Sequence, residues 1–213
     1  NGRQFIHANT IGMPDGNIYL ATQYPLEHLH NLFWQLCFGK TKLIVDLTTY
    51  GEVQQLYYPR TSGEIYELEN YSVECINVEE LDSDIFIYDL LLINKKSAER
   101  KNLRKIHYLA FQDFMRTPLK KLLKLIQMIQ ENSNDFSPLV HCKAGVGRTG
   151  TLLSALTMKN LSESAQLSKE NFLDKLSEVI LKGREQRGPL FVQSEDQLNT
   201  LVELGKNLVE ENE

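Results

Sequence analysis

Residues 141–150 read His141-Cys142-Lys143-Ala144-Gly145-Val146-Gly147-Arg148-Thr149-Gly150. The apolar run 138–141 predicts a short buried strand leading into this stretch, and the pattern of residues 151–159 predicts a helix after it. Three glycines between a strand and a helix let backbone N–H groups converge into a concave nest. Because the nest lies at a helix N-terminus, the macrodipole favours an anion there. The stretch therefore predicts an oxyanion cradle.

Two side chains of the cradle carry chemistry. Arg148 offers a planar fork of N–H donors that suits bidentate binding of phosphate. Cys142 is placed at the floor, where the positive field favours the thiolate, the nucleophilic form of cysteine. A thiolate that faces a bound phosphate can attack phosphorus. Cys37 and Cys75, in contrast, are interpreted as small buried apolar residues.

Composition narrows the class of protein. The chain has 213 residues, of which 42% are apolar and 24% charged, and this length predicts one domain. The net charge of −5 argues against a nucleic-acid partner, because phosphate backbones call for a basic domain. No apolar run reaches the ~18 residues of a membrane helix, and the N-terminus carries no signal-peptide pattern. Three cysteines favour thiols in a reducing compartment.

Strand patterns fill most of the first half of the chain, and helical patterns fill the second half. Strands are predicted at 42–47, 65–68, 71–78, 86–93 and 106–111, and helices after Pro25, after Pro118, after Ser168 and after the capping box Ser194-x-x-Gln197. Residues 1–20 are interpreted as irregular, with a turn at 13–17. This order predicts an α/β layer structure with a mixed sheet.

The decapeptide resembles the signature of the cysteine-dependent protein tyrosine phosphatases. Further segments are similar to blocks of that family, namely residues 5–9, 18–26, 33–34 and 57–59. The carboxy-terminal third is most similar to secreted bacterial effector phosphatases, because a valine follows Gly145 and a Val-Gln-x-x-x-Gln-Leu stretch spans 192–198. The resemblance implies the protein-tyrosine-phosphatase fold, with a central, mixed and highly twisted sheet flanked by helices. It implies one catalytic domain over 1–213, which we expect to lack upstream residues because Asn1 is not Met.

The resemblance also implies roles for the cradle. Cys142 attacks phosphorus and forms a phosphocysteine, while Arg148 and the backbone amides of residues 143–148 hold the phosphate oxygens. Thr149 donates its hydroxyl to the sulfur when the sulfur leaves. His141 either orients the loop or is a hydrogen-bonded core histidine.

Four further residues receive roles from the resemblance. Asp113 is implied as general acid and then base, although Phe111-Gln112-Asp113 replaces the family's Trp-Pro-Asp on a mobile loop, and a surface aspartate is the alternative. Gln193 positions the hydrolytic water. Gln197 either assists it or serves only the capping box. Glu52 pairs with the signature arginine.

Two basic features admit more than one interpretation. Lys143, at the mouth of the cradle, is either a solvated variable residue or a second cation for a polyanionic head group. The segment 95–105 holds six basic residues and one acidic residue, and it is either a solvated hairpin or a patch for an acidic substrate. The family's phosphotyrosine-recognition loop would lie upstream of residue 5, so what replaces it stays open.

The resemblance implies hydrolysis of phosphotyrosine on proteins without a metal or other cofactor. The alternatives are a phosphoinositide or dual-specificity phosphatase and a phosphotyrosine-binding module that has lost turnover. The implied partner is a phosphotyrosine-containing protein, with no nucleic acid and no transmembrane segment, and the chain is expected to be a monomer. The expected site of action is cytosolic. The effector resemblance implies secretion by a bacterium into the cytoplasm of a host cell, where signalling proteins are the targets.

Overall fold

The computed structural model describes residues 5–53, 55–133 and 136–211. The strands are β1 (Ala8–Gly12), β2 (Ile18–Gln23), β3 (Leu43–Asp46), β4 (Ile65–Glu67), β5 (Tyr71–Asp82), β6 (Ile85–Asn94), β7 (Arg100–Tyr108) and β8 (Leu139–Cys142). The helices are α1 (His30–Lys40), α2 (Leu119–Asn132), α3 (Gly147–Glu163), α4 (Phe172–Arg187) and α5 (Glu195–Glu210).

The strands form one mixed sheet in the order β1-β2-β8-β3-β7-β6-β5-β4. The four strands β2, β8, β3 and β7 run parallel to one another, and every other neighbouring pair is antiparallel. Strand β8 lies between β2 and β3, so its carboxyl end, at Cys142, emerges from the middle of the sheet. A parallel strand covered on both faces is buried along its whole length, which agrees with the burial of all four residues of β8.

Each face of the sheet packs into its own hydrophobic core, because successive side chains of a strand point to opposite sides. Val45 and Val140 pack with α2, α3, α4 and α5 in the larger core. Their neighbours Ile44 and Leu139 pack with Phe33 and Trp34 of α1 in the smaller one. The predicted mixed sheet flanked by helices is thus confirmed. Within the described residues, no helix combines the length and the apolarity needed to cross a bilayer.

The interpretation of residues 1–20 as irregular was wrong. Residues Ala8–Gly12 and Ile18–Gln23 pair as the antiparallel hairpin β1–β2. Of the five residues of β1, only Ile11 is fully buried, so β1 lacks the alternation that identifies a strand. The predicted turn is present, with the backbone N–H of Asn17 donating to Asp15 Oδ1 at 3.1 Å.

The basic segment 95–105 only partly fits a solvated hairpin. Lys105 of β7 is fully buried, and its Nζ lies 2.8 Å from Asp46 Oδ2 on the parallel strand β3. The Lys105 Nζ also lies 3.8 Å from the centre of the Tyr58 ring, within range for a cation–π contact. Burial lowers the pKa of Lys105, and the Asp46 carboxylate opposes that shift by favouring the charged ammonium.

Replacing Lys105 with methionine should lower the free energy of unfolding by about 3–5 kcal/mol, because Asp46 would be left charged and unpaired in the core. The double variant Asp46→Asn/Lys105→Met should lose less, because the introduced asparagine retains an acceptor for Thr48, whose N–H and hydroxyl both donate to Asp46 Oδ1. Urea denaturation followed by circular dichroism measures both. Equal losses in the single and double variants would contradict this account of the pair.

Candidate active site

The backbone between β8 and α3 forms the predicted cradle. Gly145 adopts φ = +73°, and a Cβ on this residue would lie 2.1 Å from the Thr22 carbonyl oxygen, so only glycine fits there. This conformation turns the Gly145 N–H toward Cys142 Sγ, at 3.2 Å. Thr149 lies in the first turn of α3, and its hydroxyl donates to the same sulfur at 3.4 Å. Both donors stabilise negative charge on a sulfur whose residue is only 2% exposed.

Arg148 is fully buried and held in one orientation. Its two terminal nitrogens donate to both carboxylate oxygens of Glu52, at 2.8 and 2.9 Å, and one of them also donates to the Leu47 carbonyl at 2.8 Å. Among the described residues, Arg148 Nε makes no well-directed hydrogen bond, although the Asp113 carboxylate lies 3.3 Å away as an ion pair. The Nε–H can therefore turn to a ligand oxygen without breaking a well-formed hydrogen bond.

Electrostatics keep both members of the Arg148–Glu52 pair charged. Burial opposes charge on Arg148, but hydrogen bonds to Glu52 and the nearby Cys142 and Asp113 raise its pKa. Burial likewise opposes charge on Glu52, but hydrogen bonds from Arg148 and from Thr49 lower its pKa. The Thr49 N–H donates to Glu52 Oε2 at 2.6 Å. The pairing that the family resemblance implies for Glu52 is thus present in the geometry.

Asp113 lies beside the arginine, on the loop that follows β7. Its Oδ1 is 3.3 Å from Arg148 Nε, and its side chain is 36% exposed, so it faces both the cradle and solvent. Phe111 is fully buried two residues earlier, and its carbonyl accepts a hydrogen bond from Arg148 at 3.4 Å. A phenylalanine therefore anchors this loop where the family has tryptophan, and the carboxylate still reaches the site.

The segment before α5 brings Gln193 to the cradle, and the first turn of α5 brings Gln197. A Cβ on Gly147 would lie 2.8 Å from Gln193 Oε1 and 3.1 Å from Gln197 Nε2, so the two amides line the start of α3. Gln197 Oε1 accepts from the Gln193 N–H at 2.8 Å, and the predicted capping box between Ser194 and Gln197 is present. Gln197 Nε2 is buried and finds no acceptor in the described part of the chain. Gln197 thus caps the helix and also presents a free donor at the cradle.

A family comparison agrees with this geometry. The model of the family described as protein-tyrosine phosphatase matches residues 1–205. The chain belongs to the protein-tyrosine phosphatase family. Human protein tyrosine phosphatase non-receptor type 18 has a catalytic-domain crystal structure similar to this chain, with a TM-score of 0.84 and 26% identity over 98% of this chain and 75% of that one.

Curated relatives are also tyrosine-protein phosphatases. Tyrosine-protein phosphatase 3 of Schizosaccharomyces pombe is 27% identical over 83% of this chain and 62% of its own length. Human tyrosine-protein phosphatase non-receptor type 4 is 30% identical over 76% of this chain and 19% of its own length. The chain thus spans less than two thirds of either relative. These relatives are eukaryotic, and they lend no support to the expected similarity with secreted bacterial effectors.

His141 of this phosphatase-family chain is a core residue that also fixes the cradle. It is fully buried, its Nε2 lies 2.7 Å from the Tyr57 hydroxyl, and its Nδ1 lies 3.3 Å from the Cys142 carbonyl oxygen. Burial lowers its pKa, which favours the neutral imidazole. His141 is therefore both a hydrogen-bonded core histidine and a residue that orients the loop. Tyr57, which had no predicted role beyond its place in the block 57–59, completes the arrangement.

The phosphatase cradle has one further support that the sequence did not indicate. Arg187, the last residue of α4, donates from Nε to the Gly145 carbonyl at 2.9 Å, and its terminal nitrogens donate to Asn9 Oδ1 at 2.7 Å and to the His7 carbonyl at 3.1 Å. It thereby ties the cradle to the N-terminal hairpin. A basic residue in the last turn of a helix is ordinary, so the local sequence carries no signal of this role.

Lys143 lies at the rim of the phosphatase cradle. Its side chain is exposed, and its carbonyl accepts from the Tyr24 N–H at 3.0 Å. A cleft of about 550 Å³ begins there, and its lining includes Tyr24, Leu26, Val53 and both Glu27 and Glu52. The mouth of the site thus carries Lys143 beside Glu27 and beside Glu52, whose charge is paired with Arg148.

Proposed function

We propose that this chain hydrolyses phosphotyrosine on proteins through a phosphocysteine intermediate. The observation that carries the proposal is the convergence of the Gly145 N–H and the Thr149 hydroxyl on Cys142 Sγ. Beside this sulfur, Glu52 immobilises Arg148, whose Nε makes an ion pair with Asp113 but no well-directed hydrogen bond among the described residues. A dianionic phosphate in the cradle would satisfy that donor and the loop amides together.

In the first step, the Cys142 thiolate attacks phosphorus. The S–P bond forms as the bond from phosphorus to the tyrosyl oxygen breaks, and Asp113 gives its proton to that leaving oxygen. Arg148 and the amides of residues 143–148 hold the equatorial oxygens, where charge is greatest in the transition state. Glu52 keeps the guanidinium oriented throughout.

In the second step, water attacks the phosphocysteine. The Asp113 carboxylate takes the proton of the water, and the P–S bond breaks as inorganic phosphate forms. Thr149 donates to the departing sulfur. Gln193 and Gln197, which line the start of α3, orient the water.

A phosphotyrosyl protein is the substrate class that we favour. Cys142 lies at the floor of the cradle, so a substrate must project its phosphorus some distance inward. A structural neighbour of this chain has been determined in complex with HER2 phosphopeptides. The Glu27 carboxylate in the same cleft offsets the charge of Lys143, which disfavours a polyanionic lipid head group.

The wider setting is part of the same proposal. Residues 1–213 act as one catalytic domain, which is supported by the family match over 1–205, and we expect this domain to be a monomer. A thiolate nucleophile requires a reducing compartment, which supports a cytosolic site of action. Secretion from a bacterium into a host cell stays a prediction from the residues around Val146 and Val192.

A substrate panel tests the proposal. We expect a phosphotyrosyl peptide to be hydrolysed at least about 10²-fold faster than the matched phosphoseryl peptide, because the shorter side chain leaves phosphorus at least about 1 Å farther from the sulfur than the distance of attack. Phosphatidylinositol phosphates in vesicles form the third arm. Lys143→Ala should leave peptide turnover nearly unchanged. Turnover of the lipid that is faster than turnover of the phosphotyrosyl peptide, and that is lost in Lys143→Ala, would favour the phosphoinositide alternative. The absence of turnover with every substrate would favour the phosphotyrosine-binding module.

A further inference from the structure

The loop that carries Asp113 has a strained backbone at the next residue. Phe114 adopts φ = +62°, a left-handed conformation that costs a non-glycine residue about 1–3 kcal/mol. Its side chain is exposed, so packing of the ring does not fix this conformation. The Phe114 carbonyl accepts a hydrogen bond from Ser194 Oγ at 2.9 Å. This bond joins the acid loop to the start of α5, 80 residues later in the chain.

Ser194 uses its hydroxyl in two ways. As the N-cap of α5, its oxygen accepts from the Gln197 N–H at 3.2 Å. Its proton is then free to donate to Phe114, so the two bonds do not compete. The helix thus holds the hydroxyl in place, and the hydroxyl holds the loop.

A second contact joins the same two segments. Arg116 Nε lies 3.3 Å from Asp196 Oδ1, with both side chains exposed. An exposed ion pair adds little by itself, but it directs the loop toward the same turn of α5. The residue before Ser194 is Gln193, which lines the cradle. One short segment, residues 193–196, therefore contacts the cradle on one side and the acid loop on the other.

We infer that Ser194 is a positioning residue that holds the Asp113 loop over the cradle, in register with Gln193. The inference rests on the proposed function, since Asp113 must stand above the bound phosphate to donate its proton. Ser194 acts through Asp113 and does not touch the substrate. Loss of the Ser194 hydroxyl should release the strain at Phe114 and let the loop move away from Arg148.

The decisive variant is Ser194→Gly. Glycine is a tolerated N-cap that costs only a few tenths of a kcal/mol relative to serine, and it cannot donate to Phe114. We expect kcat for a phosphotyrosyl peptide to fall about 5-fold to 10-fold, the scale of one net hydrogen bond, with KM nearly unchanged. Ser194→Thr keeps the hydroxyl and should restore kcat.

An Asp113→Asn background separates positioning from a merely structural effect. If Ser194 acts by placing the Asp113 carboxylate, Ser194→Gly should change kcat little in that background. The same 5-fold to 10-fold loss there, or unchanged kcat in Ser194→Gly alone, would overturn the inference.

Hydrogen exchange distinguishes failure of the inference from failure of the proposed function. The amides of residues 111–117 should exchange faster in Ser194→Gly than in the unaltered chain or in Ser194→Thr, whether or not the chain hydrolyses phosphotyrosine. Unchanged exchange would overturn the inference even in an active enzyme. An inactive unaltered chain that shows the expected exchange would overturn the proposed function alone.

Discussion

Cys142→Ser should lower turnover of a phosphotyrosyl peptide by about 10⁶-fold, the scale on which removal of a covalent nucleophile has been measured. The hydroxyl of serine stays protonated in a cradle built for an anionic sulfur, so no S–P bond can form and no neighbouring base replaces the thiolate. Steady-state phosphate release measures the loss. Intact-mass spectrometry after a rapid acid quench should detect the phosphoryl adduct in the unaltered enzyme and none in the variant.

Peptide binding should survive the same substitution. Arg148 and the loop amides make the phosphate contacts, and the neutral serine no longer repels the dianion, so the variant should bind the phosphotyrosyl peptide at least as tightly as the unaltered enzyme. Calorimetric titration checks this. Cys75→Ser is the matched control, because Cys75 is a buried thiol on β5 that contacts the Asn77 carbonyl at 3.6 Å. Retained turnover in Cys142→Ser would contradict the mechanism.

The sequence predicts the centre of the site well because its determinants are local. A strand, three glycines and a helix within about 25 residues dictate where backbone amides point. The capping box at Ser194 is equally local, and the structure has it as expected. The fold class can be predicted from local patterns as well, since strand patterns and helical patterns occupy different halves of the chain.

What the sequence could not predict depends on partners far apart in the chain. The buried pair of Lys105 with Asp46 requires β3 and β7 to be parallel neighbours, and a lysine in a basic segment gives no sign of that. Arg187 meets Gly145 across 42 residues and Asn9 across 178. The hairpin strand β1 escaped detection because its pairing with β2 and its contact with α4, rather than an alternating pattern of its own, make it a strand.

The position of Phe111 shows how a departure from the family pattern is accommodated. The ring remains fully buried, and the carbonyl still accepts from Arg148, although the residue is smaller than tryptophan and no proline follows. Contacts from outside the loop then replace the missing rigidity, with Ser194 and Asp196 both engaging residues just after Asp113. The role of this loop in catalysis can therefore be tested by substituting Asp113.

Asp113→Asn should reduce kcat by about 10²–10⁴-fold, because an amide neither gives a proton to the leaving oxygen nor takes one from water. Binding should change little, because an asparagine side chain has nearly the same shape as aspartate and Arg148 remains held by Glu52. The loss should depend on the leaving group. The rate of hydrolysis should fall more for phenyl phosphate, whose phenolate needs a proton, than for p-nitrophenyl phosphate, whose leaving anion is stable without one.

Rapid-mixing kinetics with the two aryl phosphates provides the measurement, since the burst reports cleavage of the P–O bond separately from hydrolysis of the phosphocysteine. Asp174→Asn, on the exposed surface of α4, is the matched control and should leave both rates unchanged. Equal losses for phenyl and p-nitrophenyl phosphate in Asp113→Asn would mean that this carboxylate only shapes the loop. A normal burst with both substrates would assign the acid to another group, because proton donation must accompany departure of a poor leaving group.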